Sequence, residues 1–143
     1  MSERGSWLHV RAAGMHLALP TLELREVVAM EPVSALPGRP RGIQGVVVYQ
    51  GEFLPVLAWG DLPGCLAPAA APVAMAVLRP RLAVPIDRMI GIIEVSAARL
   101  RAVEDEDPAR GWTGGLLQVG ERDLRLLDPD RLVTLLRRFR DDR

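Results

Sequence analysis

The feature that most constrains this chain is that its second half repeats its first. L-A-L-P at 17–20 returns as L-A-V-P at 82–85, an offset of 65. An apolar pair follows each copy at the same spacing, Val27-Val28 and Ile92-Ile93. Q-G-V-V-V-Y-Q-G-E at 44–52 returns as T-G-G-L-L-Q-V-G-E at 113–121, an offset of 69. L-P-V-L at 54–57 returns as L-R-L-L at 124–127, an offset of 70. Matches in one order, with spacings that grow by loop-sized steps, describe a duplication. Each unit carries roughly five short strand-like runs punctuated by Gly and Pro, a pattern that favours small barrels. The fold expected is all-β: two small five-stranded β-barrel lobes, with short helices and one C-terminal helix. The repeat halves fall at 7–64 and 73–137, joined by the linker C-L-A-P-A-A-A-P at 65–72, within a single domain spanning 1–143.

The apolar centre of the first unit is Ile43 to Leu57, which reads as a β-hairpin. Val46, Val47 and Val48 are β-branched and suit a pleated, packed surface. Gln50-Gly51-Glu52 supplies the turn, since Gly51 takes a positive φ without steric cost. Phe53 to Leu57 is the returning strand. Pro55 cannot donate a ladder hydrogen bond, so the strand is expected at an edge or beside a bulge. A lone hairpin is marginal in water, and two packed lobes would cover it.

The flanking segments follow the same logic. Trp7 to Arg11 and Met15 to Leu19 read as strands around the turn Ala12-Ala13-Gly14, with Pro20 ending the second. Thr21 suits the cap of a short helix from Leu22 to about Val27. Glu31 to Gly42 is a Pro- and Gly-rich surface loop that projects Arg39 and Arg41. Val73–Leu78 and Leu82–Val84 are strands, with Pro85 ending the second and Ile86 to about Ile90 forming a short helix or turn. Ile92 to Val95 is extended, Ser96 to Val103 holds a turn and a short element, and Glu104 to Pro108 is an acidic loop. Gly114 to Leu127 is the second hairpin. Asp128 caps and Pro129 starts a helix over Asp130 to Arg140, whose Leu132, Val133, Leu135, Leu136 and Phe139 share one face. That helix is expected to cap a barrel.

Chemistry is sparse. The only histidines, His9 and His16, fall in strands and read as surface or boundary residues. Cys65 is the single cysteine, which excludes an internal disulfide and fits a reducing compartment. There is no metal-ligand spacing, no phosphate-cradling glycine motif and no paired carboxylate site. No catalytic, cofactor-binding or metal-binding residue is therefore expected. The 18 basic residues, all Arg, balance 18 acidic ones, which argues against a nucleic-acid binder. Aromatic residues make up only 4%, too few for stacking on single strands. No targeting peptide or membrane span is visible, so a cytoplasmic protein without membrane insertion is expected. A binding module remains. Within it, a protein adaptor competes with a small-barrel nucleic-acid or ligand-binding module.

The order of these segments resembles the CheW family of chemotaxis coupling proteins over about residues 7–137. The likeness is carried by L-A-L-P-T-L-E-L-R-E-V-V-A-M, by P-V-S-A-L-P-G-R-P-R-G-I-Q-G-V-V and by the hairpin G-V-V-V-Y-Q-G-E-F-L-P-V-L. In the second half, L-A-V-P-I-D-R-M-I-G-I-I-E-V and T-G-G-L-L-Q-V-G-E-R-D-L-R-L-L-D-P-D-R-L-V carry it. The resemblance implies a non-catalytic scaffold of two SH3-like or OB-like lobes that exchange strands, the strand near Trp7 to Arg11 completing the second lobe. It implies two partners: the regulatory domain of a CheA-type histidine kinase, bound end to end, and a chemoreceptor cytoplasmic tip, bound between the lobes. The family hairpin carries Asn, Arg and Asp where this chain has Val48, Gln50 and Ala58. The candidate partner-binding residues are Tyr49, Gln50, Glu52 and Phe53 on the hairpin, and Arg39 and Arg41 on the preceding loop.

Overall fold

The structure, a computed structural model, describes residues 5–66, 68, 71–94, 96 and 98–141. Eleven strands and one α-helix follow in chain order: β1 (Ser6–Ala12), β2 (Met15–Pro20), β3 (Leu24–Ala29), β4 (Ile43–Tyr49), β5 (Glu52–Leu57), β6 (Ala74–Leu78), β7 (Leu82–Ile86), β8 (Arg88–Glu94), β9 (Arg99–Arg101), β10 (Thr113–Val119), β11 (Arg122–Leu127) and α1 (Pro129–Asp141). Ala67, Ala69 and Ala70 of the expected linker, Val95 of the expected Ile92–Val95 strand, and Ala97 lie outside the described residues.

The strands form two sheets, ordered β3-β6-β7-β5-β4 and β8-β1-β2-β11-β10-β9. Position by position the orders are equivalent under the sequence repeat: β3 answers β8, β7 answers β2, β5 answers β11 and β4 answers β10. Each half of the chain therefore lends its first two strands to the other lobe. The first lobe holds β3, β4 and β5 with β6 and β7; the second holds β1 and β2 with β8 to β11. Both lobes close this exchange with a short parallel contact, Val56 beside Ala83 and Leu126 beside Ala18. The second sheet has six strands where five were expected, because the three-residue β9 pairs with β10. The first lobe keeps only a bridge there, Ser34 to Val46.

Glycine fixes both central hairpins. The register slips at Gly45 in one lobe and at Gly115 in the other, each opposite the matching residue of its partner strand, Val56 and Leu126. A Cβ at Gly45 would lie 2.3 Å from the Ser34 carbonyl oxygen, and one at Gly115 would lie 2.6 Å from that of Arg101. Only glycine admits so close a backbone. This slip is the bulge expected beside Pro55, which pairs with Val46 next to it; the edge alternative does not hold, since β5 lies between β7 and β4. Pro55 is tolerated because β7 pairs with β5 only at Val56.

Three apolar clusters follow from strand alternation. Val47, Leu54, Val56, Met75, Val77 and Ala83 fill the first lobe. Trp7, Ala18, Ile93, Leu117 and Leu124 fill the second. The largest cluster lies between the lobes and takes Leu8, Val10, Leu17 and Leu19 from one sheet and Leu57, Leu78, Val84 and Ile86 from the other. At its centre Trp59 and Trp112 meet edge to face, ring centroids 5.8 Å apart. Their indole N–H groups donate to the Pro85 and Pro63 carbonyls at 2.8 and 3.0 Å. Asp128 caps α1 by accepting from the Asp130 and Arg131 amides. The helix does not cap one barrel: Leu132, Leu135 and Phe139 enter the cluster between the lobes.

One expected helix is a strand, and a segment expected as a short helix or turn is a bend between two strands. Leu22 to Val27 is one 3-10 turn, Thr21–Glu23, running straight into β3. Thr21 does not cap it; its hydroxyl donates to the Ser6 carbonyl at 3.0 Å. Ile86 to Ile90 is the end of β7, a bend at Asp87 and the start of β8. Pro20 is the last residue of β2, as expected, whereas β7 runs past Pro85 to Ile86.

Candidate protein-interaction surface

The β4–β5 hairpin closes with a two-residue turn. Tyr49 pairs with Glu52, and Gln50 and Gly51 both have positive φ, 50° and 78°. Two positive φ values match the twist of the flanking strands. The turn holds the Gln50 side chain in solvent at the tip.

The two faces of the hairpin differ sharply. On the inner face Val47, Leu54 and Val56 enter the first-lobe core. On the outer face Val48 and Phe53 are direct cross-strand partners. They are 62% and 71% exposed, an apolar pair with no cover. Val48, expected to pack inside, is the residue that sequence reasoning missed. A run of three valines hides which of them faces outward until the register is known.

The other candidates fall into three places. Tyr49, Gln50 and Glu52 line one cleft with Arg25, Leu54 and Arg81 at the open end of the first lobe. There the Tyr49 hydroxyl donates to Glu26, and Arg81 pairs with Glu52 at 2.6 Å. The hydrogen bond to Glu26 raises the Tyr49 pKa, with burial adding to it. Arg39 lies apart. It donates to Asp61 at 3.0 Å, and the same Asp61 oxygen accepts the Gly42 amide at 2.8 Å. Arg41 stacks on Phe139, 4.0 Å from the ring centre, at the rim of a groove between the hairpin base and α1. That groove has an apolar floor including Ile43, Pro55, Leu82 and Leu136 and a basic rim including Arg41, Arg81, Arg137 and Arg140. The structure thus gathers Tyr49, Gln50 and Glu52, sets Phe53 on the outer face, and keeps the two loop arginines separate, each occupied by an intramolecular partner.

A second exposed apolar strip was not foreseen. The edge strand β8 presents Met89, Ile90 and Ile92, exposed by 53%, 40% and 58%. At the corresponding positions of its repeat counterpart β3 stand the half-buried Leu24 and Val27 and the exposed Arg25. The signal available in the sequence was the apolar run M-I-G-I-I itself, which the sequence reading divides between a short helix or turn to about Ile90 and an extended segment from Ile92.

Among the described residues no three of His, Cys, Asp and Glu come together as a metal site. Cys65 is half-buried, and burial pushes its thiol up to about 11. No helix among the described residues is long and apolar enough to cross a membrane.

The comparisons accord with this frame. No curated protein matches the chain. Among solved structures, the chain is similar to the scaffolding protein TtCheW from Thermoanaerobacter tengcongensis, with a TM-score of 0.71 at 14% identity over 87% of this chain and 84% of that one. At that identity the likeness speaks to the fold. The CheW-like domain family model matches residues 6–137, nearly the whole of both lobes. The chain belongs to the CheW-like domain family.

Proposed function

We propose that this protein is a non-catalytic cytoplasmic adaptor that couples chemoreceptor cytoplasmic tips to a CheA-type histidine kinase, in chemotaxis or a related chemosensory pathway such as one driving type IV pili. The observation that carries the reading is the CheW-like domain match over residues 6–137. Family membership supports a chemotaxis scaffold role. The exposed Val48–Phe53 pair beside the hairpin tip supplies the kind of anchor a protein partner buries. In this proposal the kinase regulatory domain docks on the tip residues Tyr49, Gln50, Glu52 and Phe53. The receptor tip enters the groove whose rim carries Arg41, with Arg39 on the neighbouring loop. Gln50 stands where the family hairpin carries Arg, so its contacts are made by a neutral amide in place of a guanidinium.

The test is reconstitution of kinase, receptor-bearing membranes and this protein. Receptor control of kinase autophosphorylation is expected only when the protein is present. Identical kinase activity with and without it would contradict the proposal.

A further inference from the structure

The repeat offers an internal control on its own surface. Arg81 and Glu52 sit at the open end of the first lobe and form an ion pair of 2.6 Å. In the hairpin ladders Tyr49 pairs with Glu52 as Val119 pairs with Arg122, an offset of 70 where the sequence match suggested 69; with the offset of 65 for the earlier strands, Arg81 and Glu52 map onto His16 and Arg122 in the second lobe. Those two residues also touch, with Arg122 Nη1 donating to His16 Nε2 at 2.6 Å. A pair of opposite charges in one lobe is therefore a pair of bases in the other.

More positive charge collects at the same place. His9 and Arg11 alternate with the buried Leu8, Val10 and Ala12 along β1 and so share the face of Trp7. Arg11 pairs across the sheet with His16 on one side and with Arg88 on the other. His9 Nε2 and His16 Nδ1 share a hydrogen bond of 2.9 Å. Arginine cannot accept, so His16 Nε2 must accept from Arg122. Its proton is then on Nδ1 and is donated to His9, which leaves both rings neutral. Arg11, Arg88 and Arg122 have no ion pair among the described residues. The carboxylates nearest along these strands are Asp87, before Arg88, and Glu121 and Asp123, flanking Arg122. Asp123 is already held by Arg101 at 2.5 Å. Beside His9, across the ladder, lies Gly91, where an added Cβ would meet nothing within 4 Å. The site is thus open to an approaching group.

We propose that the open end of the second lobe, formed by His9, Arg11, His16, Arg88 and Arg122, binds a carboxylate side chain from an Asp/Glu-rich segment of a partner protein. The first lobe shows which group is missing, because its own Glu52 fills the matching position. Guanidinium forks match carboxylates in charge and shape. The basic groups come from four strands, β1, β2, β8 and β11, an array that suits a polypeptide carrying several carboxylates better than a free ion. Protonating the histidine pair adds positive charge, so binding strengthens as pH falls. Burial first, and then the neighbouring cations, hold both histidines below their ordinary pKa in the free protein. An incoming carboxylate would raise them.

The test uses the full chain at low salt, with hexaglutamate peptide and inorganic phosphate as separate probes. The ring resonances of the two histidines are followed by NMR. Hexaglutamate is expected to shift both rings, to raise their pKa values and to bind more tightly at pH 6 than at pH 8. Arg122→Glu places a carboxylate beside His16 at the position Glu52 holds in the first lobe, so the acidic group is supplied from within. It is expected to weaken hexaglutamate by about tenfold or more while leaving the melting temperature unchanged or higher. Arg88→Glu, on the exposed edge strand, gives the same expectation without touching the histidine pair. Rings that do not move, equal affinity for the native chain and both variants, or binding of phosphate without binding of the peptide would each overturn the proposal.

Discussion

Gly45 has no room for a side chain, because the atom its Cβ would strike is the Ser34 backbone oxygen at 2.3 Å. A backbone oxygen held in a bridge cannot turn aside as a side chain can. Gly45→Ala is expected to cost about 1–3 kcal/mol, measured by urea unfolding; Gly91→Ala, with open space around it, is the near-neutral control. Phe53 is the opposite case. At 71% exposed it supports little of the core, so Phe53→Ala should leave the melting temperature within a degree or two while weakening partner binding. The histidines give a pH dependence. Both have folded pKa values below 6.5, lowered first by burial and then by neighbouring cations. The unfolded chain therefore binds more protons as pH falls through 6.5, and stability present above that value is lost towards the lower folded values. Melting temperature should drop between pH 7.5 and 5.5, and the double substitution His9→Gln, His16→Gln should flatten that slope. Asp107, lowered against its burial by the Ala109 amide and by Arg125, titrates below 3.8 and stays out of this window. The sequence places both histidines in strands, but their contact is a register effect across β1 and β2 that local pattern does not encode.

The elements most readable in the sequence were those whose pattern agrees with their surroundings. The α1 cap, its first-turn proline and its apolar stripe all point one way, and Leu132, Leu135 and Phe139 are buried as that stripe requires. Leu132 is fully buried between the lobes, so Leu132→Ala should cost about 2–5 kcal/mol by denaturant unfolding. Both long hairpins were equally plain, because glycine turns and alternation agree there. The segment after Pro20 reads as a helix and the one after Pro85 as a short helix or turn, because short amphipathic runs fit either period. Their neighbours decide: β3 gains β6 as a ladder partner, and β8 gains β1. Those partners come from the other half of the chain, beyond the reach of any local window. Val48 illustrates the same limit, since only its pairing with Phe53 turns a core-like valine into surface.

At the scale of the whole molecule, the duplication predicted two lobes, and pairing across the halves decided how they are assembled. With β1 and β2 in one lobe and β6 and β7 in the other, neither half of the sequence holds a complete sheet. The largest apolar cluster lies between the lobes. Unfolding should therefore be a single transition by calorimetry, and two resolved transitions would count against the exchanged arrangement. The same construction leaves the β4–β5 hairpin rigidly backed by the first-lobe core while its outer face stays free. That rigid, exposed face is the basis of the proposed coupling role, and titration of the protein with the regulatory domain of a CheA-type kinase tests it most directly. The proposal expects a complex with a dissociation constant of tens of micromolar or tighter, weakened about tenfold by Gln50→Glu with folding intact. No complex in that range, or equal affinity of the native chain and the Gln50→Glu and Phe53→Ala variants, would contradict it.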